Sequence, residues 1–446
     1  MTSRPWLSII LAAGLGTRMK SALPKVMHRV AGRPLAGYAA AGAMAAGASR
    51  LAFVIGPEME AAREALSGFG ADAHFFVQTE RQGTANAVLA AEPAIANFDG
   101  DVLVLYGDTP LLLPDTLSRL RAALDGGAGV AVLGCEADDP TGYGRLLLDD
   151  TGALLAIREE REASEAEKRV TLCNSGVMAF RSGVLLSLLH RIGNSNAKGE
   201  YYLTDAVEIA RGDGLAIAVV ICPEDEVMGV NDRVQLARAE SLMQARLRET
   251  AMRNGATLLA PETVTFSYDT LLGQDVIVEP NVFFGLGVVV GNNVEIKANS
   301  YMEQARIADG AVVGPFARLR PGAEIGPKAK IGNFVEIKKA AIGAGAKVNH
   351  LAYVGDASVG AGANLGAGTI ICNYDGFRKH FTEIGEGAFI GSNSALVAPV
   401  KIGEGAYVGS GSVITRDVPP HALAVERSDQ KQVPGWAIRN KERRQK

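Results

Sequence analysis

Hydrophobic positions follow two different periods along the chain, and the change between them divides it. In the first half, short apolar runs predict strands at Leu7–Ala12, Leu51–Ile55, His74–Val77, Val102–Tyr106, Val130–Gly134, Gly176–Phe180 and Ala216–Ile221. Between several of them, Pro34–Ala46, Met59–Leu66 and Pro114–Ala123 carry apolar residues three and four apart, the spacing of one helix face. Strands alternating with helices predict an α/β domain with a largely parallel sheet, and such sheets bind ligands beyond the carboxyl ends of their strands. From Asp232 to Arg253, Leu236, Ala239, Leu242, Met243 and Leu247 keep helical spacing, which predicts one long connector helix ended by Asn254 and Gly255.

Beyond about residue 260 the period becomes six. An aliphatic residue recurs at Val290, Ile296, Ile307, Val313, Leu319, Ile325, Ile331 and Ile337, then at Ile342, Val348 and Val354. It slips by one to Val359, Leu365 and Ile371, and after a break returns at Ile384, Ile390, Leu396, Ile402, Val408 and Ile414. A small residue lies four places on in most units, as at Ala311, Ala317, Ala363, Ala388 and Ser412. This predicts a parallel β-helix: a coil of three flat sides, aliphatics pointing inward, small residues and glycines at the corners. Such coils stack in one dimension and have exposed ends. The stretch "NYDGFRKHFTE", Asn373 to Glu383, breaks the period with about seven surplus residues, and an excursion from a regular scaffold is where function concentrates.

Composition adds three constraints. A length of 446 residues suits two or three domains, and 52 glycines fit a scaffold of many tight corners. A net charge of −4 gives no nucleic-acid footprint. Cys135, Cys173, Cys222 and Cys372 are scattered, without a C-x-x-C pair or a histidine at metal-ligand spacing, which argues against a zinc site or disulfide framework and for a reducing cytoplasm. The apolar start is cut by Gly14 and Gly16, too short for a membrane span, and it lacks the basic flank of a signal peptide.

Chemistry enters at "WLSIILAAGLGTRMKSALPK". A predicted strand runs into Gly14 and Gly16, where the backbone can turn and approach a ligand, and Arg18 and Lys25 supply charge for phosphates. Neither a Walker loop nor a full G-x-G-x-x-G is present, so these residues alone leave a phosphate loop and an ordinary glycine-rich turn both open. The longer string "LAAGLGTRMKSALPKVMHRVAGRP" resembles the L-x-x-G-x-G-T-R-[ML]…PK signature of sugar-1-phosphate nucleotidylyltransferases. The resemblance implies that Leu11, Ala12, Ala13 and Gly14 cradle a nucleoside triphosphate, with Arg18 and Lys25 as catalytic phosphate-binding residues. In "QTERQGTANAV" it assigns Gln78, Gly83 and Thr84 to uracil and ribose, and in "VLYGDTPLL" it adds Tyr106, Gly107 and Asp108. By themselves Asp108 reads as a turn cap and Asn231 as a helix cap. The resemblance makes both ligands of Mg²⁺. It also assigns Gly144, Glu159 and Asn174 to the sugar. In the implied reaction a sugar-phosphate oxygen attacks the α-phosphorus and pyrophosphate leaves, so positioning and charge neutralisation suffice.

The hexad half reads either as an oligomerisation rod or as a second active site. Arg320 and Lys338 are eighteen residues apart, one coil, so they stack on one side, and Tyr353 follows somewhat less than a coil later. With Lys379 from the excursion they form a plausible phosphate site. His350 with the carboxylate of Glu336 forms a plausible general base. These segments, in this order behind this first domain, resemble the bacterial bifunctional family that joins an N-acetylglucosamine-1-phosphate uridylyltransferase to a glucosamine-1-phosphate N-acetyltransferase; the resemblance runs from Leu11 to about Trp436. It implies that His350 takes a proton from the sugar amine, which attacks acetyl-CoA, and that Arg320, Lys338, Tyr353, Asn364 and Lys379 hold the sugar phosphate. Ala367, Asn373, Tyr374, Ser392, Ser410 and Arg427 then line the coenzyme groove, shared between subunits of a homotrimer. The implied fold is a Rossmann-like domain with a mixed, mostly parallel sheet (1–231), a connector helix (232–253) and a left-handed parallel β-helix (254–446). The implied product is UDP-N-acetylglucosamine, used for peptidoglycan and lipopolysaccharide. The alternative is a single-activity nucleotidylyltransferase with a structural β-helix. Three positions depart from the family pattern: Asn86 stands where histidine is usual, Leu15 fills a slot that is often basic, and Ser410 replaces a common alanine. The basic end "RNKERRQK" reads as solvated.

Overall fold

The computed structural model describes residues 4–70 and 72–444. The chain forms two compact units that divide between Gln244 and Ala245, within the helix Arg233–Arg253. In the first unit the apolar runs become strands β1 (Trp6–Leu11), β2 (Arg50–Ile55), β3 (Ala73–Val77), β4 (Asp101–Tyr106), β5 (Val130–Glu136), β6 (Gly144–Leu148), β7 (Leu154–Arg158), β8 (Leu172–Phe180) and β9 (Ile217–Cys222). They join in the order β9-β5-β8-β4-β1-β2-β3, with β6 pairing β8 and β7. Strand β8 runs antiparallel to β4, β5 and β6, so the sheet is mixed. Both faces of the sheet are covered. Trp6, Ile10, Phe53 and Leu103 fill one core, and Leu7, Ile9, Val54 and Val102 the other, which is why β1 reads as an unbroken apolar run.

Two strands lie outside the set expected from the sequence. The pair β6–β7 is an antiparallel hairpin closed by Asp149, whose Oδ1 accepts the N–H groups of Thr151 (2.9 Å) and Ala153 (3.0 Å). Strand β8 starts four residues before the expected Gly176 and carries an irregularity between Asn174 and Met178. The cysteines that look scattered in sequence are neighbours in the sheet. Cys135 on β5 is in register with Cys173 on one side and Cys222 on the other, and all three are buried. Burial pushes the Cys135 and Cys222 thiols up to about 12, so they remain protonated core groups.

The second unit is a parallel β-helix. Each strand pairs with the strand one coil later, as in Leu271↔Val289, Ile277↔Glu295 and Arg318↔Glu336, all eighteen residues apart. The hexad aliphatics form one continuous core, and on the connector helix Leu247 and Ala251 pack against it. The coil begins at Thr257, earlier than the readable period, because Leu258, Phe266, Val276 and Phe284 fill the core there. The small residues are not corner residues. Ala311, Ala317, Ala363 and Ala388 point inward and are at most 2% exposed. Many corners are left-handed without glycine, as at Asn281, Asn299, Phe316 and Leu351. Glycine is needed instead where coils touch: a Cβ on Gly391 would lie 2.4 Å from the Ser410 backbone nitrogen of the next coil. The coil holding the excursion pairs Val359 with Ile384 and Asn364 with Phe389, twenty-five residues apart, so its seven extra residues loop outward. Among the described residues no helix is long and apolar enough to cross a membrane.

Gly391→Ala is expected to destabilise the β-helix by about 3 kcal/mol, since backbone cannot yield as a side chain does. Gly411→Ala, left-handed but with open space around it, should cost about 1 kcal/mol. Thermal unfolding of the full chain reads the difference.

Candidate active sites

The first unit holds a cavity of about 790 Å³ where β1 and β4 end. Leu11, Ala12, Ala13 and Gly14 line it as β1 runs out, followed by Arg18 and Lys25. A Cβ on Gly16 would meet the Lys25 Cβ at 2.5 Å, so the second glycine is what lets the loop fold onto the lysine. The Lys25 ammonium binds the Asp108 carboxylate and the Oδ1 of Asn231 (3.1 Å), drawing together three distant segments. Lys25 and Asp108 are only 13% and 17% exposed. Asn231 does not cap the helix. Asp232 accepts the Gln235 N–H (2.8 Å), while the Gln235 side chain accepts the Asn231 N–H (2.7 Å). That reciprocal pair leaves the Asn231 amide free for the cavity.

Gln78, Gly83, Thr84, Tyr106, Gly144, Glu159 and Asn174 also line the cavity. Gln78 donates to the Oδ1 of Asn86 at 2.8 Å, which gives the departure at 86 a partner. Burial holds the Tyr106 phenol far above its ordinary range. Burial likewise raises Glu159, whose Oε1 accepts the Thr204 hydroxyl (3.1 Å). Gly107 sits behind the wall instead, its N–H bonded to the Leu11 carbonyl (2.9 Å). Leu15 is 66% exposed and outside the lining. Sequence reasoning missed Arg81, Tyr143, Lys198, Tyr202 and Thr204, all of which line the cavity. Arg81 binds the Ala13 carbonyl (2.9 Å), and the Leu203 N–H binds Thr84 Oγ1 (2.9 Å), closing the wall from a second loop.

On the β-helix, Arg320 and Lys338 occupy successive coils, and Lys338 is in register with Gly355 two residues past Tyr353. Lys338 is buried, 3.9 Å from the Asp356 carboxylate. The Asn373 amide donates to Asp356 and to the Tyr353 hydroxyl (3.4 Å). Lys379 stands against Lys338 and lowers its proton affinity. The exposed imidazole of His350 binds through Nδ1 to Asn333 Oδ1 at 2.7 Å. With an oxygen as acceptor, Nδ1 carries the proton and Nε2 keeps a lone pair for a base's work. From His350 a line of backbone bonds runs coil by coil along one edge: Gly368 N–H to His350 (3.1 Å), Asn393 N–H to Ala367 (2.7 Å), Gly411 N–H to Ser392 (2.8 Å). The Arg427 guanidinium then reaches the Ser410 carbonyl (2.8 Å). Asn364 is in register with Lys347 on a neighbouring strand, and Tyr374 is exposed on the excursion.

Residues 8–170 match the family model for the MobA-like NTP transferase domain, and residues 304–339 and 381–416 match the bacterial transferase hexapeptide (six repeats). The chain is 59% identical over 437 residues to the bifunctional protein GlmU of Azorhizobium caulinodans, covering 98% of this chain and 97% of the relative. The GlmU protein of Xanthobacter autotrophicus gives the same figures, and that of Agrobacterium fabrum is 54% identical over 440 residues, 99% and 97% of the two chains. The chain belongs to the GlmU family.

For this GlmU-family chain the structure revises one pairing read from sequence. Glu336 does not attend His350. Its carboxylate binds Arg320 (2.8 Å) and Arg318 (3.7 Å), and that bond raises the Arg320 pKa. Asn333 holds the imidazole in its place, and the seventeen-residue spacing of Asn333 and His350, one shortened coil, was the signal for it.

Asn333→Ala should leave His350 in a mixture of its two neutral tautomers, visible in the ¹⁵N shifts of the imidazole. In the first unit, burial and the carboxylates of Glu208, Glu162 and Glu159 push Asp205 up to about 6 from 3.8. The folded state therefore holds this proton more tightly than the unfolded chain. The stability it contributes is full below 3.8 and is lost as pH rises through about 6. Asp205→Asn is expected to flatten the fall in melting temperature across that window.

Proposed function

We propose that this GlmU-family chain makes UDP-N-acetylglucosamine in two steps on its two units. On the β-helix, the amine of glucosamine-1-phosphate attacks the thioester carbon of acetyl-CoA. A C–N bond forms, the C–S bond breaks, Nε2 of His350 takes the amine proton, and coenzyme A leaves as a thiolate that is then protonated. Arg320, Lys338, Tyr353, Asn364 and Lys379 hold the sugar phosphate; Ala367, Asn373, Tyr374, Ser392, Ser410 and Arg427 hold the coenzyme. The observation that carries this reading is the oriented imidazole, its Nδ1 held by Asn333 and its Nε2 free, on the strand that follows the one carrying Lys338.

In the first unit, a phosphate oxygen of N-acetylglucosamine-1-phosphate attacks the α-phosphorus of UTP, and the bond to pyrophosphate breaks. Arg18 and Lys25 neutralise phosphate charge, Gln78, Gly83 and Thr84 seat the uridine, and Gly144, Glu159 and Asn174 seat the sugar. Asp108 and Asn231 offer two hard oxygens that already share one cation, the Lys25 ammonium, which suits Mg²⁺. They would hold that ion, which when bound supplies charge neutralisation on the phosphates. Assembly as a homotrimer through the β-helix and residence in the cytoplasm complete the proposal.

Free coenzyme A, followed with a thiol reagent, and pyrophosphate, followed from UTP, test the two halves separately. His350→Ala is expected to lower coenzyme A release by roughly 10²–10⁴-fold and leave pyrophosphate formation intact. Asp108→Asn is expected to do the reverse. Pyrophosphate formation without any coenzyme A release from the unmodified protein would leave a single-activity nucleotidylyltransferase.

A further inference from the structure

The excursion that breaks the hexad period is more tightly closed than a solvent loop needs. The His380 N–H binds the Asn373 carbonyl (2.8 Å), the Asp375 N–H binds the Arg378 carbonyl (3.2 Å), and Tyr374 and Lys379 pair as an antiparallel bridge. Inside this hairpin one carboxylate makes three bonds. Asp375 Oδ1 accepts the N–H groups of Phe377 (2.7 Å) and Arg378 (2.6 Å), and Oδ2 binds His380 Nε2 (2.7 Å). Those bonds hold the Asp375 carboxyl well below the usual carboxylate range. Phe377 at the tip is 93% exposed, so apolar burial does not hold the turn. The closure is polar.

Lys379 lies between the bridge to Tyr374 and the anchor at His380. The His380 N–H is bonded to Asn373, whose amide binds Asp356, 3.9 Å from the Lys338 ammonium, so the hairpin brings Lys379 to Lys338, and the second ammonium, with burial, drives the Lys338 pKa down. Asp356, 3.9 Å away, offsets only part of the charge, with Arg320 adding more. Two like charges pressed together repel each other until an anion enters between them. Something must hold Lys379 there meanwhile, and beside the main-chain bonds of the hairpin the Asp375 carboxylate ties the turn at Phe377 and Arg378 to His380, the residue after the lysine.

We propose that Asp375 and His380 are positioning residues: they clamp the hairpin so that Lys379 stays against Lys338 and completes a site for a phosphate-monoester dianion. The proposal rests on the acetyl-transfer reading and deepens it, by assigning the phosphate affinity of the sugar substrate to a clamp that touches no substrate.

The test uses the full chain. Asp375→Ala is expected to raise KM for glucosamine-1-phosphate about tenfold or more, with kcat changed less than about twofold, because charge-assisted bonds to one phosphate are lost while the base is untouched. Asp375→Asn retains an acceptor for the two N–H groups and should fall between. Combined with Lys379→Ala, Asp375→Ala should add no further rise, since it acts through that lysine. Thermal unfolding of the full chain reports that the β-helix of each variant is folded. An unchanged KM in Asp375→Ala, or a rise that adds fully to that of Lys379→Ala, overturns the clamp. If the unmodified protein releases no coenzyme A, the acetyl-transfer reading fails, and calorimetry with inorganic phosphate decides the clamp: affinity lost tenfold in Asp375→Ala upholds it, and equal or absent binding overturns it.

Discussion

Main-chain hydrogen bonds from each coil to the next set the place of every side chain in the β-helix. Because the donors of one strand are satisfied by the carbonyls of its neighbour, a coil cannot slide without abandoning several bonds at once. The register therefore fixes which side chains meet. Arg320 lies over Lys338, Asn333 beside His350, and the residues from His350 to Arg427 form one edge. Interlocking of this kind needs coils to approach closely, and glycines such as Gly366 and Gly391 remove the Cβ that would collide with the next backbone.

The first unit reaches its geometry by convergence. Lys25, Asp108 and Asn231 come from three separate loops and share one ammonium. The pair is mostly withdrawn from water, so its partners must remain matched, and the capping pair at Asp232 and Gln235 spares Asn231 for this task. A second loop, from Lys198 to Thr204, is stitched to the Gln78–Thr84 turn and ties that turn to Glu159 across the cavity.

What could be read from sequence tracks how local its physical cause is. The six-residue period was plain because each flat side must bury one aliphatic residue. It faded before Val290, where Phe266 and Phe284 fill the core by stacking on each other. The strands of the hairpin β6–β7, GRLLL and LLAIR, are apolar but only five residues long, with no helix between them to mark them as part of the alternating pattern. The cysteine neighbours were invisible, since their adjacency depends on β8 and β9 flanking β5, which no spacing reveals. At the sites, Lys25 and Asp108 were legible as a motif. Asn231 and Asp232 are both favoured caps, and only their bonds tell which one caps. Glu336 was read with His350 by nearness in sequence, whereas counting by coils leads to Asn333.

The twenty-five-residue coil carries a lesson about how such proteins change over generations. Seven residues enter and leave at one point, and the strands on either side pair as if nothing intervened. An insertion inside a strand would turn its aliphatic residue out of the core and break its pairing with the coils on either side. Mutation is thus free to lengthen, shorten or rewrite the arm while the stack beneath it is held constant, so new chemistry can be tried there without first being paid for in folding.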